Sequence, residues 1–152
     1  MGYKTITVKP ISGALGAEIE GVDLSKELSN ETFDDIHQAF LDHVVIFFRD
    51  QHLTHDQHKA FGRRFGTLNI HPYVKGMDGH PEIMQIVKEP EDRINFGGGW
   101  HSDMSFLEEP ALGSILYAKE IPPYGGDTLW ANQYLAYETL SSGMKKMLEG
   151  LK

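Results

Sequence analysis

Gly98-Gly99-Trp100-His101-Ser102-Asp103-Met104-Ser105-Phe106 is the stretch that decides how this chain folds and what it can bind. Past the glycines, the residues from Trp100 to Phe106 read as an extended strand. On a strand, residues two apart share a face, with Cα atoms about 6.6 Å apart. His101 and Asp103 would then aim an imidazole and a carboxylate at one point, where each could hold the same ion at about 2.0–2.2 Å. A hard carboxylate beside a borderline imidazole suits iron(II), and two-histidine-one-carboxylate sets with open positions are the mark of non-haem iron oxygenases. The pattern His-x-Asp is short, and its plain alternative is a polar strand face on the surface. The glycines before Trp100 would let a cofactor or substrate approach the backbone closely.

Downstream, Gly113 to Ile121 predicts a further strand, closed by turns at Pro122-Pro123 and Gly125-Gly126, and the chain from Tyr134 onward predicts helix. Upstream, residues 89–99 form a polar loop. Ile83 to Val87 predicts a strand, and His71-Pro72 and His80-Pro81 bias their surroundings toward turns. Thr54, with Gln57 three residues later, is a capping-box pattern for a helix that carries Phe61 and Phe65 inward and stops at Gly66. Val44 to Phe48 predicts a buried strand. Ser29 or Asn30 caps a helix whose Phe33, Ile36 and Phe40 recur at helical spacing, ending near His43. Ile6 and Val8 alternate with polar residues, and Ala17-Glu18-Ile19 follows Gly13 and Gly16, so two short strands are expected at the start.

The 152 residues, 40% of them hydrophobic, are ordinary for one globular domain or part of one. A net charge of −8, with no run of five or six Lys/Arg, lacks the electrostatic footprint of a nucleic-acid binder. With no cysteine, disulfides, thiolate zinc sites and cysteine nucleophiles are excluded, and any metal must be held by N and O ligands. The start carries no signal-peptide core or myristoylation pattern, and no stretch approaches about 18 consecutive apolar residues. A cytoplasmic protein is the expectation. There is no internal repeat and no low-complexity segment. His55 and His58, three apart on the predicted helix and close to His52 and Asp56, offer a competing metal pair. Their plainer reading is a solvated polar face, with Asp56 complementing the helix dipole.

Two long segments carry more than any short motif. Gly98 to Phe106, and Ala118-Lys119-Glu120-Ile121-Pro122-Pro123-Tyr124-Gly125-Gly126-Asp127-Thr128-Leu129-Trp130, closely resemble the taurine dioxygenase (TauD/TfdA) family of 2-oxoglutarate-dependent oxygenases. The likeness extends through Gly16-Ala17-Glu18-Ile19, Gly21-Val22-Asp23-Leu24, Phe48-Arg49-Asp50-Gln51, Phe65-Gly66 and Ala136-Tyr137-Glu138. It implies an α+β, mainly β architecture: a jelly-roll (double-stranded β-helix, cupin-like) core with flanking helices. It also implies oxidative attack on an unactivated C–H bond, using Fe(II), O2 and 2-oxoglutarate, with succinate and CO2 released.

Carried over by position, the resemblance makes His101 and Asp103 the first two metal ligands and Thr128 the hydroxyl that helps hold the far carboxylate of 2-oxoglutarate. A hydroxyl after a Gly-Gly turn is a reasonable carboxylate donor, and also an ordinary turn residue. Trp130 reads as a core or pocket-wall aromatic and Asp127 as a turn residue. His71 matches a histidine that taurine-using members place on the sulfonate. Those members have a tyrosine three residues later, where this chain has Val74, with Tyr73 one step earlier; they have an asparagine at the position of Gly97, with Asn95 nearby here. His71, Tyr73, Asn95 and Gly97 are therefore the expected substrate contacts, for a small sulfonate or carboxylate and not for taurine alone.

The family's third ligand, a histidine, and its 2-oxoglutarate arginine lie well downstream of the matched segments. A jelly roll needs about eight strands, and too few follow His101. Residues 1–152 are thus expected to be the amino-terminal portion of one larger domain, inactive alone. The whole enzyme is expected to be a homo-oligomer acting on a small anionic molecule, with neither nucleic acid nor membrane as partner. The alternative is a cupin-like module that binds a metal or small acid without catalysis.

Overall fold

The computed structural model describes residues 2–94 and 96–151. The elements, in chain order, are β1 (Thr7–Pro10), β2 (Ala17–Glu20), α1 (Asn30–His43), β3 (Ile46–Phe48), α2 (His55–Arg63), α3 (Gln133–Glu138) and α4 (Ser142–Leu148). They group into two compact units, Met1–Gln51 with Ile121–Lys152, and His52–Glu120.

In the first unit a three-stranded sheet runs in the order β1-β2-β3. β1 and β2 pair antiparallel with Val8 opposite Ile19, and β2 and β3 pair parallel with Ala17 opposite Ile46. A parallel pair needs a crossover, and α1 is that crossover. It starts where the Ser29 side chain accepts a hydrogen bond from Thr32 N–H. Phe33, Ile36 and Ala39, one face of the helix at three-residue spacing, are buried together with Ala17 and Ile19 of the sheet. Asp35, on the same helix, accepts from Lys4 N–H and Thr5 N–H, both at 2.7 Å, and from the Thr5 hydroxyl at 2.9 Å. These bonds, that of the Thr5 amide first, hold its carboxyl below the usual carboxylate range. Farther along the chain, Trp130 packs edge-on against Phe47 at 5.3 Å, and Asn132 caps α3 while donating to Ala14 O at 2.7 Å.

The expected strand Val44–Phe48 begins two residues late. Val44 ends α1 with φ 67, its N–H bonded to Phe40 O, and Val45 N–H turns back to His43 O. The N–H groups of both residues are used in leaving the helix, while Val45 O already accepts from Ala17 N–H at 3.0 Å, and the strand register begins at Ile46.

The second unit is built on α2. Its capping box is complete: the Thr54 hydroxyl accepts from Gln57 N–H, and the Gln57 side chain accepts from Thr54 N–H. Phe61 and Gly62 are buried. A Cβ at Gly62 would lie 2.9 Å from Leu68 Cδ2 and 3.6 Å from Ile115 Cδ1, so this turn of helix admits no side chain without displacing Leu68. The helix stops at Arg63, short of the expected Gly66, and Phe65 is half-buried just beyond it.

The individual strands expected in the second unit do not form. Among the described residues of 52–120 no strand forms at 83–87, 100–106 or 113–120, nor does one form at Ile121; the unit has one isolated bridge, Met77 with His80. A strand needs a ladder of backbone bonds with a neighbour; Ile83 bonds only within the turn of Met77 and His80, and no ladder forms among the described residues of these segments. Their apolar side chains, such as Val87, Phe106, Leu116 and Ile121, are exposed. No described helix is long and apolar enough to cross a membrane.

Candidate metal and substrate site

His101 and Asp103 do come together, but through a turn. The backbone turns over residues 103–106, with Met104 at φ 55 and Leu107 N–H bonded to Met104 O at 3.1 Å. This brings His101 Nε2 to 3.1 Å from Asp103 Oδ1. Two donors each about 2.1 Å from one ion, at right angles, lie about 3 Å apart. The pair therefore has the bite that a single metal ion requires.

Each remaining polar atom of the pair is also held. His101 Nδ1 donates to Gly99 O at 2.7 Å, which leaves Nε2 as the atom that can ligate. Ser114 Oγ donates to Asp103 Oδ2 at 3.0 Å, which leaves Oδ1 facing the imidazole. The His101 pKa is raised from its ordinary value, first by the bond to the Gly99 carbonyl and then by the Asp103 carboxylate. Gly97, at φ +67, lies against the ring: a Cβ there would meet His101 Cε1 at 3.3 Å. Its structural part is thus to make room for the ligand candidate. Among the described residues no group of three or more His, Asp or Glu could hold a metal ion. The site contains two donors of the expected kind.

His71 lies in a turn of the same unit. Its Nδ1 accepts from Tyr73 N–H at 3.1 Å and Val74 N–H at 3.0 Å, so the ring proton is on Nε2, which is left as a donor. The ring meets that of Tyr73 edge-on at 6.2 Å, and Tyr73 lies 5.7 Å from Phe106. The substrate candidates His71 and Tyr73 are thereby joined to the far end of the His101-x-Asp103 turn. Asn95 lies outside the described residues. Thr128 is exposed in the loop before α3, in the first unit.

Two features escaped the sequence reading. Ser114 falls within the strand that the sequence predicts over Gly113 to Ile121, where a lone hydroxyl among apolar residues is the one signal of a polar partner. For His58 the sequence predicts a solvated face or a metal pair. It is instead half-buried, with Nε2 donating to Ile115 O at 3.1 Å and its ring edge-on to Tyr117 at 5.9 Å. Tyr117 Oη in turn accepts from Leu53 N–H at 3.0 Å. The segment 114–117 is thus fastened to the start of α2 at two points and to Asp103 at a third.

Residues 7–152 match the sequence profile of the "Taurine catabolism dioxygenase TauD, TfdA family". The chain belongs to this family. As a TauD/TfdA member it is 39% identical over 147 residues to an alkylsulfatase of Acinetobacter baylyi, covering 96% of the chain and 45% of that protein. It is 37% identical to an alpha-ketoglutarate-dependent sulfate ester dioxygenase of Pseudomonas putida, covering 96% of the chain and 48% of the relative. A taurine dioxygenase crystal structure from Burkholderia xenovorans superposes with a TM-score of 0.84 at 42% identity, over 97% of this chain and 52% of that one. A structure of AAD-2 in complex with Mn(II) and N-oxalylglycine gives a TM-score of 0.73 at 28% identity, over 95% of this chain and 50% of its own. The TauD/TfdA chain described here spans about half the length of the relatives it matches.

Proposed function

We propose that residues 1–152 form the amino-terminal portion of a cytoplasmic, homo-oligomeric Fe(II)- and 2-oxoglutarate-dependent dioxygenase with a jelly-roll core. The observation that carries the reading is the 3.1 Å approach of His101 Nε2 to Asp103 Oδ1, within a chain of this family. His101 and Asp103 would hold iron(II), and the third ligand and the arginine for 2-oxoglutarate would come from the rest of the domain, in keeping with the half-length match to relatives. With Fe(II) bound, O2 and 2-oxoglutarate supply the oxidation: one oxygen atom enters a substrate C–H bond as hydroxyl, the other ends in succinate, and CO2 leaves.

The chain's own residues bind and orient. The Thr128 hydroxyl donates to the far carboxylate of 2-oxoglutarate. His71 Nε2–H would donate to the anionic group of the substrate, and Tyr73 and Gly97 would line its approach. Relatives named for sulfate esters, sulfonates and phenoxypropionate support a small organic anion as substrate. Taurine itself should be poor, because Val74 and Gly97 supply no side-chain donor, and a hydrogen bond lost to a charged group costs about 1.5–3 kcal/mol.

The test is a screen of alkyl sulfates, sulfonates and short carboxylates with the complete protein, Fe(II), O2 and 2-oxoglutarate, read by succinate. Several anions should stimulate succinate release well above the substrate-free rate. Metal binding without turnover on any of them would overturn the enzyme reading, and taurine as the clearly best substrate would overturn the pocket assignment.

A further inference from the structure

Asp103 has two carboxylate oxygens, and the structure treats them differently. Oδ1 faces His101 Nε2 at 3.1 Å, whereas Oδ2 accepts the Ser114 hydroxyl at 3.0 Å from eleven residues down the chain. We propose that Ser114 is a positioning residue that holds Oδ2 and so presents Oδ1 alone to the metal. This rests on the reading of His101 and Asp103 as ligands.

Ser114 can do this because its own segment is anchored. Ile115 O accepts from His58 Nε2, and Tyr117 Oη accepts from Leu53 N–H, so the backbone flanking Ser114 is tied to the capped end of α2. The serine is thus the contact through which a rigid helix start reaches a carboxylate on an exposed turn. Without it, Asp103 can rotate about its χ angles and offer either oxygen or both. Ligating carboxylates are commonly fixed by such outer hydrogen bonds, and removing one typically lowers metal affinity about 10–100-fold. Ser114 itself is exposed, so deleting its hydroxyl leaves no cavity.

The experiment titrates Co(II) into the complete protein without cosubstrate, following visible absorption, for wild type, Ser114→Ala, Ser114→Thr and Asp103→Ala, alongside melting of each metal-free protein. Ser114→Ala should bind Co(II) about 10–100-fold more weakly with an altered band intensity and an unchanged metal-free melt, and Ser114→Thr, which keeps the hydroxyl, should recover most of the affinity. If Asp103→Ala loses Co(II) while Ser114→Ala binds like wild type, the positioning role is wrong and the ligand reading stands. If Asp103→Ala itself binds like wild type, the ligand reading fails and takes this inference with it.

Discussion

His58 Nε2 lies 3.1 Å from the carbonyl oxygen of Ile115, joining the second turn of α2 to a segment that follows it by 57 residues. The ring is half-buried and stacked edge-on to Tyr117, and burial first, then the nearby charges of His55 and Lys119, push its pKa below 6.5 despite the carbonyl partner. A histidine neutral in the folded state takes up its proton more readily when unfolded. Its contribution is therefore present above pH 6.5 and is lost as pH falls from 6.5 through the lowered folded value. Thermal melts between about pH 7.5 and 5 should show this loss in the wild type. In His58→Gln, whose amide can still donate to Ile115 but does not titrate, the dependence over that window should flatten. An unchanged slope would mean that another group governs it.

The proposed ligands His101 and Asp103 are exposed, and their side chains contribute little to packing. His101→Ala or Asp103→Ala in the complete protein should therefore abolish iron-dependent succinate formation while far-ultraviolet circular dichroism and the melting temperature stay close to wild type, since folding energy comes chiefly from apolar burial. Near-normal turnover in either variant would remove that residue from the ligand set.

Ile36 is fully buried at the centre of the α1 face that covers the sheet. Cutting it to alanine leaves a cavity as well as losing transfer energy, and should cost about 2–5 kcal/mol; Ile36→Val should cost about 0.5–1.5 kcal/mol. Urea unfolding of the two variants gives both values. A loss under 1 kcal/mol for the alanine variant would contradict the packing described here.

Val44 ends α1 at φ 67 and ψ −39, the centre of a three-residue turn closed by Val45 N–H to His43 O, a sparsely populated conformation that costs residues with a Cβ about 1–3 kcal/mol. Val44→Gly and Val44→Ala remove nearly the same apolar atoms, so their difference isolates the backbone term. The glycine variant should be the more stable by about 1 kcal/mol. Equal midpoints in urea would show that the turn relaxes away from this conformation.

The features legible in the sequence are those whose hydrogen bonds close locally. Thr54 with Gln57, Ser29 before α1, and the apolar spacing of Phe33 and Ile36 announce helices because each bond spans three or four residues, and the structure has both helices with those caps. The approach of His101 to Asp103 was legible for a similar reason, since two side chains two residues apart can meet under more than one backbone shape. A strand would put them on one face, and the turn found in its place brings them to 3.1 Å. Strands at 83–87, 100–106 and 113–121 could not be settled in this way, because a strand is made by a neighbour that may lie anywhere in the chain, and apolar alternation does not say whether that neighbour is present. The tertiary structure alone decided that Ser114 holds Asp103, that His58 is half-buried against Ile115 and Tyr117 instead of solvated, and that Tyr73 reaches Phe106. Each is a contact between residues 11 or more positions apart, set by how the backbone folds back on itself and by no periodicity along it.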